Sequence, residues 1–245
     1  MTDTTPDPKN ARIAFRVTEG SAPTILFLPG YASDMAGTKA LALEAWARRE
    51  GRGFVRFDYR GCGESEGAFE NYTLTDWRDD ALEVIDRVIA GPVVLVGSSM
   101  GGWIALLAAK ARPDRMAGMV GIAPAPDFTD WGFSAEDKMK LLTDGRLEKQ
   151  SGYSDRPTVT TRAFWTAGEA NRLMFGAIPL RLPVRLVQGM RDKEVPWERS
   201  CRLAQLIEGD DVQAWLVKDG DHRLSRDADI ATIVRAVEEV LAAAG

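Results

Sequence analysis

Val93-Val94-Leu95-Val96-Gly97-Ser98-Ser99-Met100-Gly101-Gly102-Trp103-Ile104-Ala105 opens with a valine- and leucine-rich run too short for a helix. Such a run reads as a strand buried on both faces. It stops at a glycine and passes into Ile104-Ala105-Leu106-Leu107-Ala108-Ala109-Lys110, a series of strong helix formers. Between the two lies Gly97-x-Ser99-x-Gly101, the pattern of a nucleophile carried on a sharp strand-to-helix turn. A serine there is strained in its backbone, and side chains two positions to either side would collide with the turn. Glycine at 97 and 101 removes both collisions. The Ser99 hydroxyl is therefore expected to point out of the top of a sheet, with the free N–H groups and positive dipole end of the next helix behind it.

The chain around this turn is long enough for one α/β domain over residues 1–245 with a small insertion. Hydrophobic residues make up 45% and charged residues 27%, and the formal charge of −5 gives no overall pull toward nucleic acid or an anionic membrane. Cys62 and Cys201 stand apart with no C-x-x-C spacing, which suggests neither a disulfide framework nor a zinc site. A reducing, cytoplasmic setting is the expectation. Residues 1–10 are polar, contain two prolines and lack an apolar core, so no signal peptide is expected. No apolar stretch is long enough to cross a bilayer. The oligomeric state is not legible.

Outward from the turn, Arg12 to Val17 alternates and reads as a half-exposed strand. Ser21-Ala22-Pro23 is expected to break it, and Thr24 to Leu28 to form a buried strand ending at Pro29-Gly30-Tyr31. That glycine permits a tight turn with inward-facing N–H groups. Lys39 to Arg49 has helical spacing, and Phe54 to Asp58 is the next strand. It leads into Tyr59-Arg60-Gly61-Cys62-Gly63-Glu64-Ser65, where Asp58, Arg60 and Ser65 are assigned structural roles and Cys62 lacks a histidine of its own. Thr75 to Ala90 is an amphipathic helix, and Met116 to Ile122 a buried strand. The alternation predicts a doubly wound, mostly parallel α/β sheet.

It fails from Ala123 to Leu182. Structureless chain of that length would be unusual in a compact domain. Short helices and a hairpin-like piece (Arg156 to Thr161) are expected to form a mainly helical cap insertion, about 124–182, over the sheet's C-terminal edge. Most of its large apolar groups, Phe128, Trp131, Phe133, Phe164 and Trp165 among them, are read as packing and a minority as pocket lining. Val184 to Gly189, Glu198 to Ile207, Val212 to Val217 and Asp227 to Ala243 then read as strand, helix, strand and helix.

Three loops at one sheet edge thus carry Ser99, Asp192 and His222 in that order. A serine hydroxyl needs a neighbouring base at neutral pH, and His222 is the one histidine in the chain. Asp192 follows a strand and can orient the imidazole; Glu194, Asp219 and Asp221 are the alternatives, with Asp219 and Asp221 read as turn builders. Residues of these types in this order imply acyl transfer through a covalent serine intermediate. The Met100 N–H would be one oxyanion donor and the Tyr31 N–H the other. No metal or cofactor is required. Serine at this position, where dehalogenases and epoxide hydrolases carry aspartate, points to ester or thioester carbonyls. A peptidase or C–C-bond hydrolase with the same triad, and a non-catalytic binding protein of the same fold, are the competing readings.

From about Leu26 to the final helix these residues resemble the α/β-hydrolase superfamily. More narrowly, Pro29-Gly-Tyr-Ala-Ser-Asp-Met-Ala-Gly-Thr-Lys-Ala40, Gly97 to Trp103, Gly189-Met-Arg-Asp-Lys-Glu-Val-Pro-Trp197 and Asp221-His-Arg223 are similar to one branch of it. That branch is the mitochondrial alpha/beta hydrolase domain-containing protein ten family of animals. The resemblance implies a serine hydrolase acting as a palmitoyl-protein thioesterase or acyl-glucuronide esterase through Ser99, Asp192 and His222, on a small-molecule or acylated-protein substrate. The chain departs from that family in having no expected transit peptide, which makes a bacterial relative the expectation.

Overall fold

The computed structural model describes residues 11–150 and 157–244. The strands are β1 (Phe15–Thr18), β2 (Ser21–Leu28), β3 (Arg52–Phe57), β4 (Val93–Ser98), β5 (Met116–Ile122), β6 (Arg146–Lys149), β7 (Thr158–Thr161), β8 (Val184–Gly189) and β9 (Val212–Val217). The helices are α1 (Thr38–Arg49), α2 (Leu74–Arg87), α3 (Met100–Ala111), α4 (Phe128–Trp131), α5 (Ala135–Asp144), α6 (Arg162–Ala170), α7 (Glu198–Leu206) and α8 (Asp227–Ala243). Seven strands form one sheet in the order β1-β3-β2-β4-β5-β8-β9, parallel throughout except for β1 against β3.

Successive strand residues point to opposite faces, and each face has its own helices. Leu26, Leu28 and Leu95 pack with Trp77 of α2, Trp103 of α3 and Leu203 of α7. Ile25, Phe27, Val94 and Val96 pack with Leu43 of α1 and Ile233 and Val237 of α8. This is the doubly wound α/β sheet that the alternation predicts, and its central strand, β4, ends at Ser98, one residue before Ser99.

Two local expectations need correction. Ser21-Ala22-Pro23, expected as a break between the first two strands, is instead the start of β2. The strand starts at Ser21, its pairing with β4 begins only at Thr24, and its register with β3 shifts between Ser21 and Ile25. The proline, which has no N–H to give, falls where the ladder is already skipped. The hairpin-like piece is also larger than expected. β6 pairs antiparallel with β7 from Arg146↔Thr161 to Lys149↔Thr158, whereas Arg156 lies outside the described residues. With α4, α5 and α6 this hairpin makes up the stretch between β5 and β8. That stretch is fastened to the sheet domain in part by Trp103 Nε1, which donates to the Asn171 carbonyl at 3.2 Å.

Candidate active site

Ser99 sits between β4 and α3 with φ +54° and ψ −119°, in the region that non-glycine residues avoid. The surroundings hold it there. Its N–H donates to the Ile122 carbonyl, and its own carbonyl accepts from the Gly102 and Ala125 N–H groups, all within 3.0 Å. A Cβ at position 97 would lie 2.3 Å from the Gly101 oxygen, and one at 101 would lie 2.1 Å from the Leu28 oxygen. Both clashes are with backbone, so neither can be relieved by a rotamer change. Gly101→Ala is accordingly expected to lower stability by about 2–3 kcal/mol, typical of overpacking. A thermal melt should show the midpoint falling by roughly 5–10 °C.

The second loop leaves β8 and the third leaves β9. Here His222 Nδ1 lies 2.8 Å from Asp192 Oδ2. Every other acceptor position of that carboxylate is used. Oδ2 also accepts from Gln188 Nε2 (2.9 Å), and Oδ1 accepts from the N–H groups of Glu194 (2.8 Å) and Val195 (2.9 Å). Burial pushes the Asp192 carboxyl up, but the His222 contact and the two amides outweigh it and hold the group below its ordinary value. An ionised Asp192 takes the imidazole proton onto Nδ1 and leaves the Nε2 lone pair for the cleft. Gln188 is fully buried and is itself clamped by the Ser200 hydroxyl at 2.9 Å. Its role went unread in the sequence, where it is one more residue of a buried strand.

The rival acids are placed elsewhere. Glu194 Oε2 stands 3.5 Å from His222 Nε2, on the ring nitrogen opposite Asp192. Asp219 pairs with Arg226, and Asp221 accepts from the Leu224 N–H. Both build the turn, as their spacing suggests. Lys39 Nζ donates to the Arg223 carbonyl at 2.6 Å, tying the start of α1 to the histidine loop. Burial lowers this ammonium to about 8, against the raising effect of Asp221.

Ser99 and His222 line one open cleft of about 1420 Å³. Among the described residues the Ser99 hydroxyl makes no hydrogen bond, and neither the Tyr31 nor the Met100 N–H has a partner. Met100 is the first residue of α3, so its N–H is one the helix leaves unpaired. A Cβ added at Gly30, next to Tyr31, would lie 3.4 Å from the Ser99 Cβ. The loop holding Tyr31 is braced by Asp58, which accepts from the N–H groups of Met35 (2.6 Å) and Glu64 (2.7 Å). Ser65 donates to the Asp58 carbonyl, and Arg60 ion-pairs with Asp80 and Glu83 of α2. Cys62 is buried, and desolvation pushes its thiol up to about 12. It stays protonated at neutral pH and is no competitor to Ser99. The cleft lining is mixed: Phe69, Phe128 and Phe133 cluster around the Tyr31 ring or one another and Val159 joins them as an apolar member, while Lys193, Glu194 and Arg223 are charged members, with Glu194 beside His222.

The alpha/beta hydrolase family matches residues 25–243. A human mitochondrial protein, palmitoyl-protein thioesterase ABHD10, is 38% identical over 238 residues, covering 96% of this chain and 78% of its own length. The solved structure of mouse alpha/beta hydrolase domain-containing protein 10 superposes with a TM-score of 0.88 at 36% identity, covering 94% of each chain. A crystal structure of a protein from Agrobacterium vitis S4 gives 0.89 at 42% identity, covering 94% of this chain and 93% of its own. Among the described residues no helix is long and apolar enough to cross a membrane.

Proposed function

The chain belongs to the alpha/beta hydrolase family and is a hydrolase of the esterase and thioesterase kind, and on that premise we propose that it cleaves long-chain acyl thioesters or esters through Ser99, His222 and Asp192. Ser99 Oγ attacks the acyl carbonyl while His222 Nε2 takes its proton, and the Tyr31 and Met100 N–H groups hold the oxyanion. Collapse of the tetrahedral intermediate expels a thiol or alcohol, which leaves with the proton from His222. A water deprotonated by the same nitrogen then releases the fatty acid and restores Ser99.

The observation that carries this reading is the Asp192–His222 contact of 2.8 Å, made by a carboxylate with no other acceptor position open, on the cleft that Ser99 lines. The preference for long acyl groups rests on the aromatic part of that cleft and on the activity named for the human relative. We take residues 124–182 as the cap that covers the acyl chain, the substrate as a small molecule or an acylated protein, and the compartment as a reducing, cytoplasmic one, which two free cysteines suit.

A series of acyl thioesters sharing one leaving group tests the reading. Each buried methylene contributes about 0.8 kcal/mol, so kcat/KM is expected to rise about tenfold for every two added carbons until the aromatic part of the cleft is filled. Rapid quenching should trap the acyl group on the peptide containing Ser99. A flat chain-length profile removes the long-chain assignment, and an acyl adduct found elsewhere removes the mechanism.

A further inference from the structure

Tyr31 enters the mechanism through its backbone, yet its side chain reaches out of the sheet domain into the insertion. The phenol oxygen lies 3.0 Å from Thr160 Oγ1 and 3.3 Å from the Val159 carbonyl, both on β7. Val159 offers only an acceptor, so the phenol proton goes to it and the buried Thr160 hydroxyl donates to the phenol oxygen. Burial raises the phenol well above its ordinary value and keeps it protonated for this pairing. The ring meets Phe128 of α4 and Phe164 of α6 at centroid distances of 5.8 and 4.8 Å, and Trp77 of α2 at 5.9 Å. One residue thus lines the cleft that Ser99 lines and is gripped at its far end by three elements of the insertion.

We propose that Tyr31 is a positioning residue: its hydroxyl, fastened to β7 through Thr160 and Val159, lets the insertion set where the Tyr31 N–H stands as an oxyanion donor. This inference rests on the serine mechanism proposed above. The loop before α1 begins the stretch Gly30-Tyr31-Ala32-Ser33, in which Ala32 has φ +52° and Ser33 donates back to the Gly30 carbonyl at 3.3 Å. Such a short turn can tilt its amides with little loss of packing, and the tether supplies what local hydrogen bonding does not. Tyr31, Phe128, Val159 and Thr160 line the same cleft as Ser99, so an acyl chain lying against them bears on the tether. Acyl binding and oxyanion geometry are coupled at a single side chain.

The test is a double-mutant cycle of Tyr31→Phe and Thr160→Val, with Thr160→Ser as the variant that keeps the hydroxyl. Losing an oxyanion donor outright costs 10²–10³ in kcat, and a donor left in place but loosened should cost about tenfold. Each single variant is expected to lower kcat about tenfold with KM within twofold, the double variant no more than either single, and Thr160→Ser to retain wild-type kcat. Equal KM and kcat effects, additive losses, or kcat within twofold of wild type in both singles would overturn the tether. Thermal midpoints within a few degrees of wild type separate these outcomes from general loosening. Ser99→Ala runs alongside: turnover surviving in it defeats the serine mechanism and the tether together, whereas turnover lost in it but unchanged in Tyr31→Phe and Thr160→Val defeats the tether alone.

Discussion

Ser99→Ala is expected to lower kcat on an acyl thioester by about 10⁵–10⁶-fold and to leave KM within about twofold. The hydroxyl makes no hydrogen bond among the described residues, so its removal breaks none there. All of the loss belongs to the transition state. The members of a nucleophile–base pair act as a unit, so His222→Ala should fall to the same floor, and the double variant should go no lower. That floor is expected to stay about 10³–10⁴ above the uncatalysed rate, because the proposed oxyanion donors, the Tyr31 and Met100 amides, and the cleft remain in both variants. Steady-state turnover combined with fluorophosphonate labelling of the wild type reads both numbers. A Ser99→Ala enzyme within tenfold of wild type would end the covalent mechanism.

Asp192→Asn is expected to lower kcat by about 10⁴-fold with the fold intact. The reason lies in the four donors around the carboxylate. The Glu194 and Val195 N–H groups demand an acceptor on the Oδ1 side, so the carbonyl oxygen of an asparagine must stay there. Its NH₂ group then faces Gln188 Nε2 and His222 Nδ1, where Oδ2 now accepts from both. A donor facing His222 Nδ1 drives the imidazole proton to Nε2 and blocks the lone pair that should receive the serine proton. Glu194→Gln acts on the other ring nitrogen and should cost less than tenfold, which separates the two acids in one experiment. The pH dependence has a definite sign as well. Asp192 is held below its ordinary value of 3.8, so the stabilisation it gives is fully present above that value and lost as pH falls through the lower folded value. Acid unfolding of Asp192→Asn should lack that component.

What could be read in the sequence was what local rules govern. β5, β8, β9 and α8 begin and end where turn residues and apolar periodicity place them. Ser99 and His222 stand out because one needs two glycines in fixed positions and the other is the single imidazole in the chain. The misreadings share a cause, which is that pairing between distant segments overrides local preference. Pro23 looks like a strand breaker until the neighbouring ladder proves to start one residue later. Arg146-Leu147-Glu148-Lys149 has little strand character of its own and is a strand because Thr158–Thr161 lies beside it. Its place after a strand favours Asp192 over Glu194, and the ring nitrogen that each faces, Nδ1 for Asp192 and Nε2 for Glu194, is a tertiary fact that the sequence does not carry. The Tyr31–Thr160 contact joins residues 129 positions apart, a separation over which sequence periodicity carries no information.

The left-handed backbone of Ser99 also bears on how such a protein endures through descent. A non-glycine residue at that φ burdens the folded state by about 1–3 kcal/mol, and glycine at position 99 would relieve much of it. Random substitution in a lineage that kept only the fold would therefore drift downhill to glycine, since among the described residues the hydroxyl makes no hydrogen bond. On the serine mechanism proposed above, a serine at that position is what a chain retained for its chemistry would keep, in place of the glycine a bare scaffold would drift to.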